Sequence, residues 1–146
     1  MLARMRWGVL LGLMPVLAAH ATARGELIVH LSGIRACQGA LMLAVYDRAD
    51  SFLQAGAGVT TARIPLKSAP CEPVVTQHLS LPYGRYALAV YQDANDNGKL
   101  DSNWLGRPTE PWGVSNRIRP LMRAPRFAES AFDFSPDRGE IRLDLR

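Results

Sequence analysis

The sequence predicts an all-β fold: a single β-sandwich of about seven strands, of immunoglobulin or transthyretin type, with one long irregular loop. Apolar residues recur at every second position in short runs, turn-forming residues separate these runs, and signals for helices are weak. A small closed barrel is the second choice for the same pattern. The chain has 146 residues, 48% of them hydrophobic and 21% charged, which is ordinary for one globular domain with a buried core.

The predicted strands are short segments in which side chains alternate between an apolar and a mixed face. In the second segment, for example, Leu41, Leu43 and Val45 lie on the same face. The seven segments are 26–31, 39–47, 59–66, 73–81, 85–92, 131–134 and 140–145. Elsewhere, the residues that could hold a turn or two of helix are 47–55 and 125–130.

The first 23 residues have the layout of a signal peptide. Two arginines precede a short apolar run, and alanines in A-x-A spacing follow it. The run is too short to cross about 30 Å of hydrocarbon, which argues against a transmembrane anchor. We therefore expect cleavage before Thr22 or Arg24, and export of one β-sandwich domain, residues 24–146, to the periplasm or out of the cell.

The charge of the chain does not indicate a nucleic-acid partner. The whole chain has a formal net charge of +4, and removal of the two arginines of the signal peptide leaves 15 − 13 = +2. The remaining positive residues are scattered, and no recognisable nucleic-acid module accompanies them. We expect the mature protein to bind no nucleic acid and to have no membrane span.

Cys37 and Cys71 are expected to form a disulfide, since two thiols in an exported chain are more often paired than free. The bridge would close a loop of about 35 residues and contribute roughly 3 to 4 kcal/mol by constraining the unfolded chain. The alternative is a pair of thiols whose Cα atoms lie too far apart to be joined.

Residues 93–101, DANDNGKLD, place oxygen-bearing side chains at alternate positions and include a glycine. This is the spacing of an EF-hand-like calcium loop, in which alternate side chains turn inward and glycine permits a sharp bend. Gly98 occupies the position of the bend, whereas Trp104 stands where an EF-hand has its bidentate Glu. The predicted ligands of Ca²⁺ are Asp93, Asn95, Asn97, the backbone carbonyl of Lys99, and Asp101.

Without the bidentate Glu, such a site needs oxygen ligands from elsewhere in the chain, and Glu110 and Asp47 are the candidates. The alternative for the same stretch is a hairpin turn, because Asn97 and Gly98 tolerate the positive φ angles of such a turn. A turn requires only these two residues and leaves the other alternating oxygens unexplained, which favours calcium.

Two tryptophans with polar neighbours lie in the longest segment without alternation, residues 93–126. They could form an aromatic and polar recognition surface for a carbohydrate, a peptide or an envelope component. The alternative, which we favour at this point, is that both tryptophans cap the open end of the sandwich. The residues concerned are Trp104, Arg107, Trp112 and Asn116.

Signals for catalysis are weak. His30 and His78 lie within strand patterns, without the spacing of a zinc site, and no nucleophile or phosphate-binding motif occurs. Carboxylates in and after the loop could supply the acid and base of a small hydrolase, but their spacing fits ion coordination better. These carboxylates are Asp93, Asp96, Asp101 and Glu110.

Residues 81–116, LPYGRYALAVYQDANDNGKLDSNWLGRPTEPWGVSN, resemble the signature of an uncharacterised exported bacterial family, domain of unknown function 2141. The shared elements are a Leu-Pro-x-Gly-x-Tyr-Ala turn and strand, an Asp-x-Asn-x-Asn-Gly-Lys-Leu-Asp loop, and a Gly-x-Pro-x-Glu-x-x-Gly-x-Ser-Asn segment. The resemblance implies a signal-bearing β-sandwich and no assigned activity. The chain departs from the signature at Trp112, where Tyr is expected, and at Val114, where Phe is usual.

The leading hypothesis is an exported, non-enzymatic β-sandwich whose loop, residues 93–101, is ordered by Ca²⁺ and presents a recognition surface. The alternative is a structural or envelope-associated protein without a metal, whose loop is held by turns alone. The third and weakest hypothesis is a small hydrolase that uses the loop carboxylates.

Overall fold

The computed structural model describes residues 22–66 and 72–146, which form eight strands and two short helices. All seven predicted segments contain a strand, and the predicted all-β class is confirmed. The helices are a 3-10 turn (Ser115–Arg117) and α1 (Phe127–Ser130). The strands are β1 (Arg24–Ser32), β2 (Ala40–Tyr46), β3 (Thr60–Pro65), β4 (Val74–Pro82), β5 (Gly84–Asp93), β6 (Trp112–Val114), β7 (Phe132–Phe134) and β8 (Glu140–Asp144).

The strands form two sheets packed against each other, as expected for a sandwich. One sheet has the order β4-β1-β8, with β1 antiparallel to β4 and parallel to β8. The other has the order β3-β2-β5-β6 with antiparallel neighbours, and β7 pairs with the start of β5. The backbone N–H groups of Trp112 and Arg146 each donate to the other residue's carbonyl oxygen, at 3.2 and 3.1 Å, which joins the two sheets along one side.

The main core lies between the sheets and consists of alternate strand residues. In β1, Leu27, Val29 and Leu31 are fully buried, whereas Ile28 and His30 between them are only partly buried. Burial of apolar surface, at about 25 cal/mol per Å², is the main term that stabilises this arrangement. The other members of the core are Leu41, Leu43, Val45, Leu79, Leu81, Tyr86, Leu88, Val90, Phe134, Leu143 and Leu145.

A second, smaller apolar cluster contains Tyr46 of β2, Ala87 of β5 and Val114 of β6. The ring of Phe52 joins it through edge contacts, with centroids 5.4 Å from Tyr46 and 5.9 Å from Phe127 of α1. The alternation in β2 and β5 places this cluster on the face opposite the main core. These two strands are therefore covered on both faces, which explains why their sequences are apolar nearly throughout.

Two local predictions differ from the structure. Residues 47–55 form turns and bends rather than a helix, whereas α1 agrees with the helical turn predicted for 125–130. Strand β6 lies inside the segment that was predicted to be irregular. It has only three residues, Trp112–Val114, so its alternation is too short to recognise in the sequence.

Two predictions involve residues outside the described part of the chain. These are the signal peptide, of which residues 1–21 are outside, and the disulfide, of which Cys71 is outside. Cys37 itself lies in the described connection between β1 and β2. Within residues 22–66 and 72–146, no helix is long and apolar enough to span a bilayer.

The connection between β5 and β6, residues 94–111, is the β5–β6 loop. Both of its ends are anchored, because Tyr91 pairs with Trp112 and the Gln92 N–H donates to the Pro111 carbonyl oxygen at 2.9 Å. The start of β2 packs closely against its base: a Cβ atom at Gly39, which has a φ of 74°, would lie 1.9 Å from the Asp93 carbonyl oxygen. The loop therefore projects from a rigid strand end.

Candidate functional site

Asp93, the last residue of β5, organises the first turn of the loop. Its side chain is buried, with 1% of its area exposed. One carboxylate oxygen accepts the Asn97 N–H at 3.0 Å and the other accepts the Gly98 N–H at 2.8 Å. A carboxylate in this position fixes the backbone of the turn through two charge-assisted hydrogen bonds.

Asp101 receives the amide side chains of the two asparagines. The Asn95 Nδ2 atom donates to Asp101 Oδ2 at 2.7 Å, and the Asn97 Nδ2 atom lies 3.0 Å from both carboxylate oxygens. These hydrogen bonds, first from Asn97 and then from Asn95, lower the pKa of Asp101 below its ordinary value. The side chains of two predicted ligand residues, Asn95 and Asn97, therefore converge on Asp101 and face it with their amide nitrogens.

The amide oxygens of the same asparagines hold the backbone of the turn. Asn95 Oδ1 accepts the Asn97 N–H at 3.2 Å, and Asn97 Oδ1 accepts the Lys99 N–H at 3.0 Å. Side-chain amides of Asn carry an oxygen and a nitrogen on one planar group, so a rotation of half a turn exchanges the two. The loop thus contains two amide groups that can present either a donor or an acceptor to the interior.

Glu110 closes the loop from its far end. One of its carboxylate oxygens accepts the Ala94 N–H at 2.9 Å, and the other accepts the Asp101 N–H at 3.0 Å. Of the two candidates for an additional ligand, Glu110 therefore contacts the loop directly. Asp47 is the wrong choice, because it follows Tyr46 at the end of β2 that pairs with Ala87, far from Asp93.

Charge in this region is unevenly compensated. Asp96 points outward and pairs with Arg63 at 2.6 Å, whereas Asp93, Asp101 and Glu110 form no salt bridge with any residue in the described ranges. Burial first, and then the charges of Asp93 and Glu110, raise the pKa of neighbouring Tyr91. Asp93 and Glu110 therefore lie close enough to Tyr91 to disfavour its ionised form.

The oxygen donors of this loop are a mixture of carboxylates and amides. Within residues 22–66 and 72–146, no group of three or more His, Cys, Asp or Glu side chains is placed to hold a metal ion. A soft or borderline metal such as zinc, which prefers imidazole and thiolate, therefore has no suitable site there. A hard cation that accepts amide and carbonyl oxygens fits the donor set better.

Residues 102–108 form a well-defined turn at the outer part of the loop, which we call the tip turn. Asn103 holds it together: its Oδ1 atom accepts the Leu105 and Arg107 N–H groups, both at 3.0 Å, and its N–H donates to the Arg107 carbonyl oxygen at 2.8 Å. Trp104 is 91% exposed. The sequence analysis missed Asn103, although Asn followed at the third position by Gly, as in NWLG, is a recognisable turn signal.

The four residues of the predicted recognition surface divide into two pairs. Trp104 and Arg107 lie on the exposed tip turn, so Trp104 does not cap the sandwich. Trp112 is partly buried against the second apolar cluster, and the Arg119 guanidinium lies 4.4 Å from the centre of its ring. The Asn116 side chain donates to the carbonyl oxygens beside α1, at 3.0 and 2.9 Å, and so has a structural role.

Two surface depressions within the described part of the chain do not involve the loop. One, of about 320 Å³, is lined by His30, Ser32, Val74 and Arg142 on the outer face of the first sheet. The other, of about 270 Å³, lies beside Arg24 and Asp47 at the opposite end of β2 and β5 from the loop. Neither brings a loop carboxylate to a cleft where a substrate could be held.

Comparison with protein families places most of the chain in a known family. A family model described as an uncharacterized protein conserved in bacteria, DUF2141, matches residues 29–142, which includes the loop and nearly all of the sandwich. Comparison with curated proteins and with solved structures gave no significant match.

Proposed function

The chain belongs to the DUF2141 family of bacterial proteins, and from the geometry of its loop we propose that it is an exported, non-enzymatic protein that binds Ca²⁺ through residues 93–101 and presents an exposed recognition surface. Asp93, Asn95, Asn97 and Asp101 would supply side-chain oxygens, and Lys99 a backbone carbonyl. Glu110 would contribute through one of its carboxylate oxygens or by holding the backbone on which the ligands lie.

The observation that carries this proposal is the grouping of carboxylates and amides around one turn without a salt bridge to a basic side chain among the described residues. Two asparagine amides approach the Asp101 carboxylate at 2.7 and 3.0 Å. Asp93, Asp101 and Glu110 form no salt bridge with the described residues, although the charge of Lys99 contributes to the lowered pKa of Asp101. A simple hairpin turn would need neither the second asparagine nor three carboxylates. A divalent cation bound among these oxygens would relieve the repulsion between the acidic groups.

The donor set favours calcium over magnesium. Ca²⁺ accepts six to eight oxygens in flexible geometry, whereas Mg²⁺ requires a tight octahedron and loses its water reluctantly. The few carboxylates and the absence of a bidentate Glu at Trp104 predict a weak site, with a dissociation constant of roughly 10⁻⁴ to 10⁻³ M, as in extracellular modules.

The test is thermal unfolding of the mature protein in excess chelator and in millimolar calcium. At a calcium concentration about tenfold above the dissociation constant, mass action stabilises the fold by about 1.4 kcal/mol, which raises Tm by a few degrees. Asp93→Ala and Asp101→Ala should each abolish this rise. Asp96→Ala is the matched control and should keep it, because Asp96 points outward to Arg63.

A second variant separates calcium binding from a turn held by hydrogen bonds alone. Asn97→Asp adds a carboxylate to the ligand set, and ligand charge tunes calcium affinity. We expect it to tighten calcium binding by about tenfold while lowering Tm in chelator, because of repulsion from Asp101. Identical melting curves with and without calcium, in the wild type and in this variant, would establish the metal-free structural alternative instead.

The hydrolase hypothesis has less support than calcium binding or the metal-free structural alternative. Its proposed acid and base groups are occupied, since Asp93 and Glu110 each accept two backbone N–H groups. Asp101 is held by asparagine amides, which keep it ionised rather than protonated. General acid catalysis requires a carboxylic acid with a raised pKa, whereas the pKa of Asp101 is lowered.

Export is the second part of the proposal. The signal-peptide layout of residues 1–23 supports it, and cleavage before Thr22 would keep Ala23 in the mature chain. The Ala23 carbonyl oxygen accepts the Tyr83 N–H at 3.0 Å, and this hydrogen bond extends the pairing of β1 with β4. Intact mass of the protein from the cell envelope should correspond to residues 22–146, with two fewer hydrogens if Cys37 and Cys71 are joined.

A further inference from the structure

The tip turn exposes two large apolar side chains side by side. Trp104 is 91% exposed and Leu105 is 58% exposed, and the hydrogen bonds of Asn103 hold the turn that carries them. Exposed apolar groups of this size on a fixed turn lower the solubility of a protein, and they commonly mark a site of interaction. Neither of the two depressions described above includes Trp104 or Leu105, so we look for a partner surface that admits exposed apolar groups rather than a molecule that fills a pocket.

The charges around the tip turn are arranged by sign. Asp93, Asp101 and Glu110 direct their oxygens to backbone or amide donors within the loop. Lys99 and Arg107 are exposed and form no salt bridge with residues in the described ranges. Three of the four acidic groups of the loop therefore face donors within it, and Arg107 places positive charge on the same turn as the exposed tryptophan.

Calcium would complete this arrangement. Residues 93–111 contain four acidic and two basic residues, a formal charge of 2 − 4 = −2, which one bound Ca²⁺ would raise to zero. Since Asp96 is also paired with Arg63, the calcium-bound loop would carry no net negative charge toward a partner. Its attraction to an anionic surface should therefore rise when calcium binds.

We propose that the tip turn docks on a lipid bilayer with anionic headgroups, with Trp104 and Leu105 inserted at the interface and Arg107 and Lys99 on the headgroups, when calcium occupies the loop. Tryptophan prefers the interfacial region of bilayers, and basic side chains beside it bind anionic lipid. This inference rests on the calcium site proposed above. A carbohydrate site is less suited to the turn, because the Asn103 side-chain oxygen is already occupied by the backbone N–H groups of Leu105 and Arg107.

The experiment is sedimentation of the mature protein with vesicles of phosphatidylglycerol and phosphatidylcholine, with vesicles of phosphatidylcholine alone as the comparison. We expect binding to the anionic vesicles in millimolar calcium, and binding weaker by about thirtyfold in chelator, since each of the two positive charges of Ca²⁺ is worth about 1 kcal/mol near the surface. Combined Trp104→Ala and Leu105→Ala substitutions should lower the affinity by at least about tenfold. Arg107→Gln should lower it by about fivefold.

Leu121→Ala with Met122→Ala is the matched control, because these neighbours are also exposed, at 92% and 90%, on a different segment. Their double substitution should change vesicle affinity by less than about twofold. A Trp112→Phe variant leaves Trp104 as the reporter in the mature chain, and its fluorescence should shift to the blue on binding. No shift, or equal loss from the tip and control variants, would overturn insertion of the tip turn.

Melting curves from the same preparations distinguish failure of this inference from failure of the proposed calcium site. A calcium-dependent rise in Tm without vesicle binding would overturn membrane docking and leave the calcium site standing. Vesicle binding that is the same in chelator and in calcium, together with unchanged melting curves, would overturn both the calcium site and the calcium-dependent docking. The tip variants should show the Tm and calcium response of the wild type, since the substituted side chains are exposed.

Discussion

The sandwich and the β5–β6 loop are held together by different forces, although β5 belongs to both. The sandwich depends on apolar side chains buried between two sheets and on backbone hydrogen bonds between strands. The loop depends on carboxylates and amides that accept backbone N–H groups. The difference indicates that the sandwich should be insensitive to ions and mild acid, whereas the order of the loop depends on the charge state of a few side chains.

The change from stabilisation by apolar packing to stabilisation by hydrogen bonds occurs within β5. Leu88 and Val90 face the main core, but Gln92, two residues further on the same face, is a buried polar residue with 1% exposure. Its side chain accepts the Arg35 N–H at 3.1 Å and donates to the Ala36 carbonyl oxygen at 2.7 Å. The end of the strand is therefore already stabilised by hydrogen bonds to neighbouring loops rather than by apolar packing.

The largest expected effect is in the sandwich. Leu88→Ala removes a fully buried side chain from the main core and should lower the free energy of unfolding by about 2 to 5 kcal/mol, measured by urea denaturation. The difference in Tm between calcium and chelator should persist, because the loop is untouched. Val59→Ala, at a 46% exposed position, is the control and should cost less than about 0.5 kcal/mol. Loss of the calcium response in Leu88→Ala would show that the two regions are coupled.

A smaller effect is expected from Glu110→Gln, which changes only the loop. Glutamine has one acceptor oxygen where glutamate has two, so either the Ala94 or the Asp101 N–H loses its partner, at a cost of about 1 to 3 kcal/mol. Hydrogen exchange should accelerate at these two amides and stay unchanged in the sandwich. Glu140→Gln, an exposed carboxylate of β8, is the control and should leave all exchange rates unaltered.

The smallest expected effect is the loss of stability at low pH that follows from the lowered pKa of Asp101. The pKa of Asp101 is lowered by hydrogen bonds from Asn97 and Asn95, so its contribution to stability is present above the ordinary pKa of about 3.9 and is lost as the pH falls through the lower, folded value. Asn97→Ala should raise the Asp101 pKa toward its ordinary value in an NMR titration. Asp144, whose pKa is lowered by Arg146 in the sandwich, is the internal control. A pKa of Asp101 that does not move would show that Asn97 is not its main partner.

Much of the sandwich could be predicted from the sequence, because the information is local. A strand that buries one face must repeat apolar residues at every second position, and all seven predicted segments contain strands. Strand β6 was not predicted from the sequence, because its three residues form a strand only through pairing with β5 and hydrogen bonds to Arg146. The sequence pattern of so short a segment cannot indicate which distant residues it pairs with.

The loop shows the same division between local and long-range information. The spacing of Asp93, Asn95, Asn97 and Asp101 in the sequence was enough to place these residues around one turn, since residues so close in the chain meet when it bends at Gly98. Only the tertiary structure showed that Glu110, and not Asp47, lies beside these residues. It also showed that Trp104 is exposed, whereas Trp112 packs against the second apolar cluster. The positions of these side chains depend on which strands are adjacent. Strand adjacency is determined by hydrogen bonds between segments that are distant in the chain.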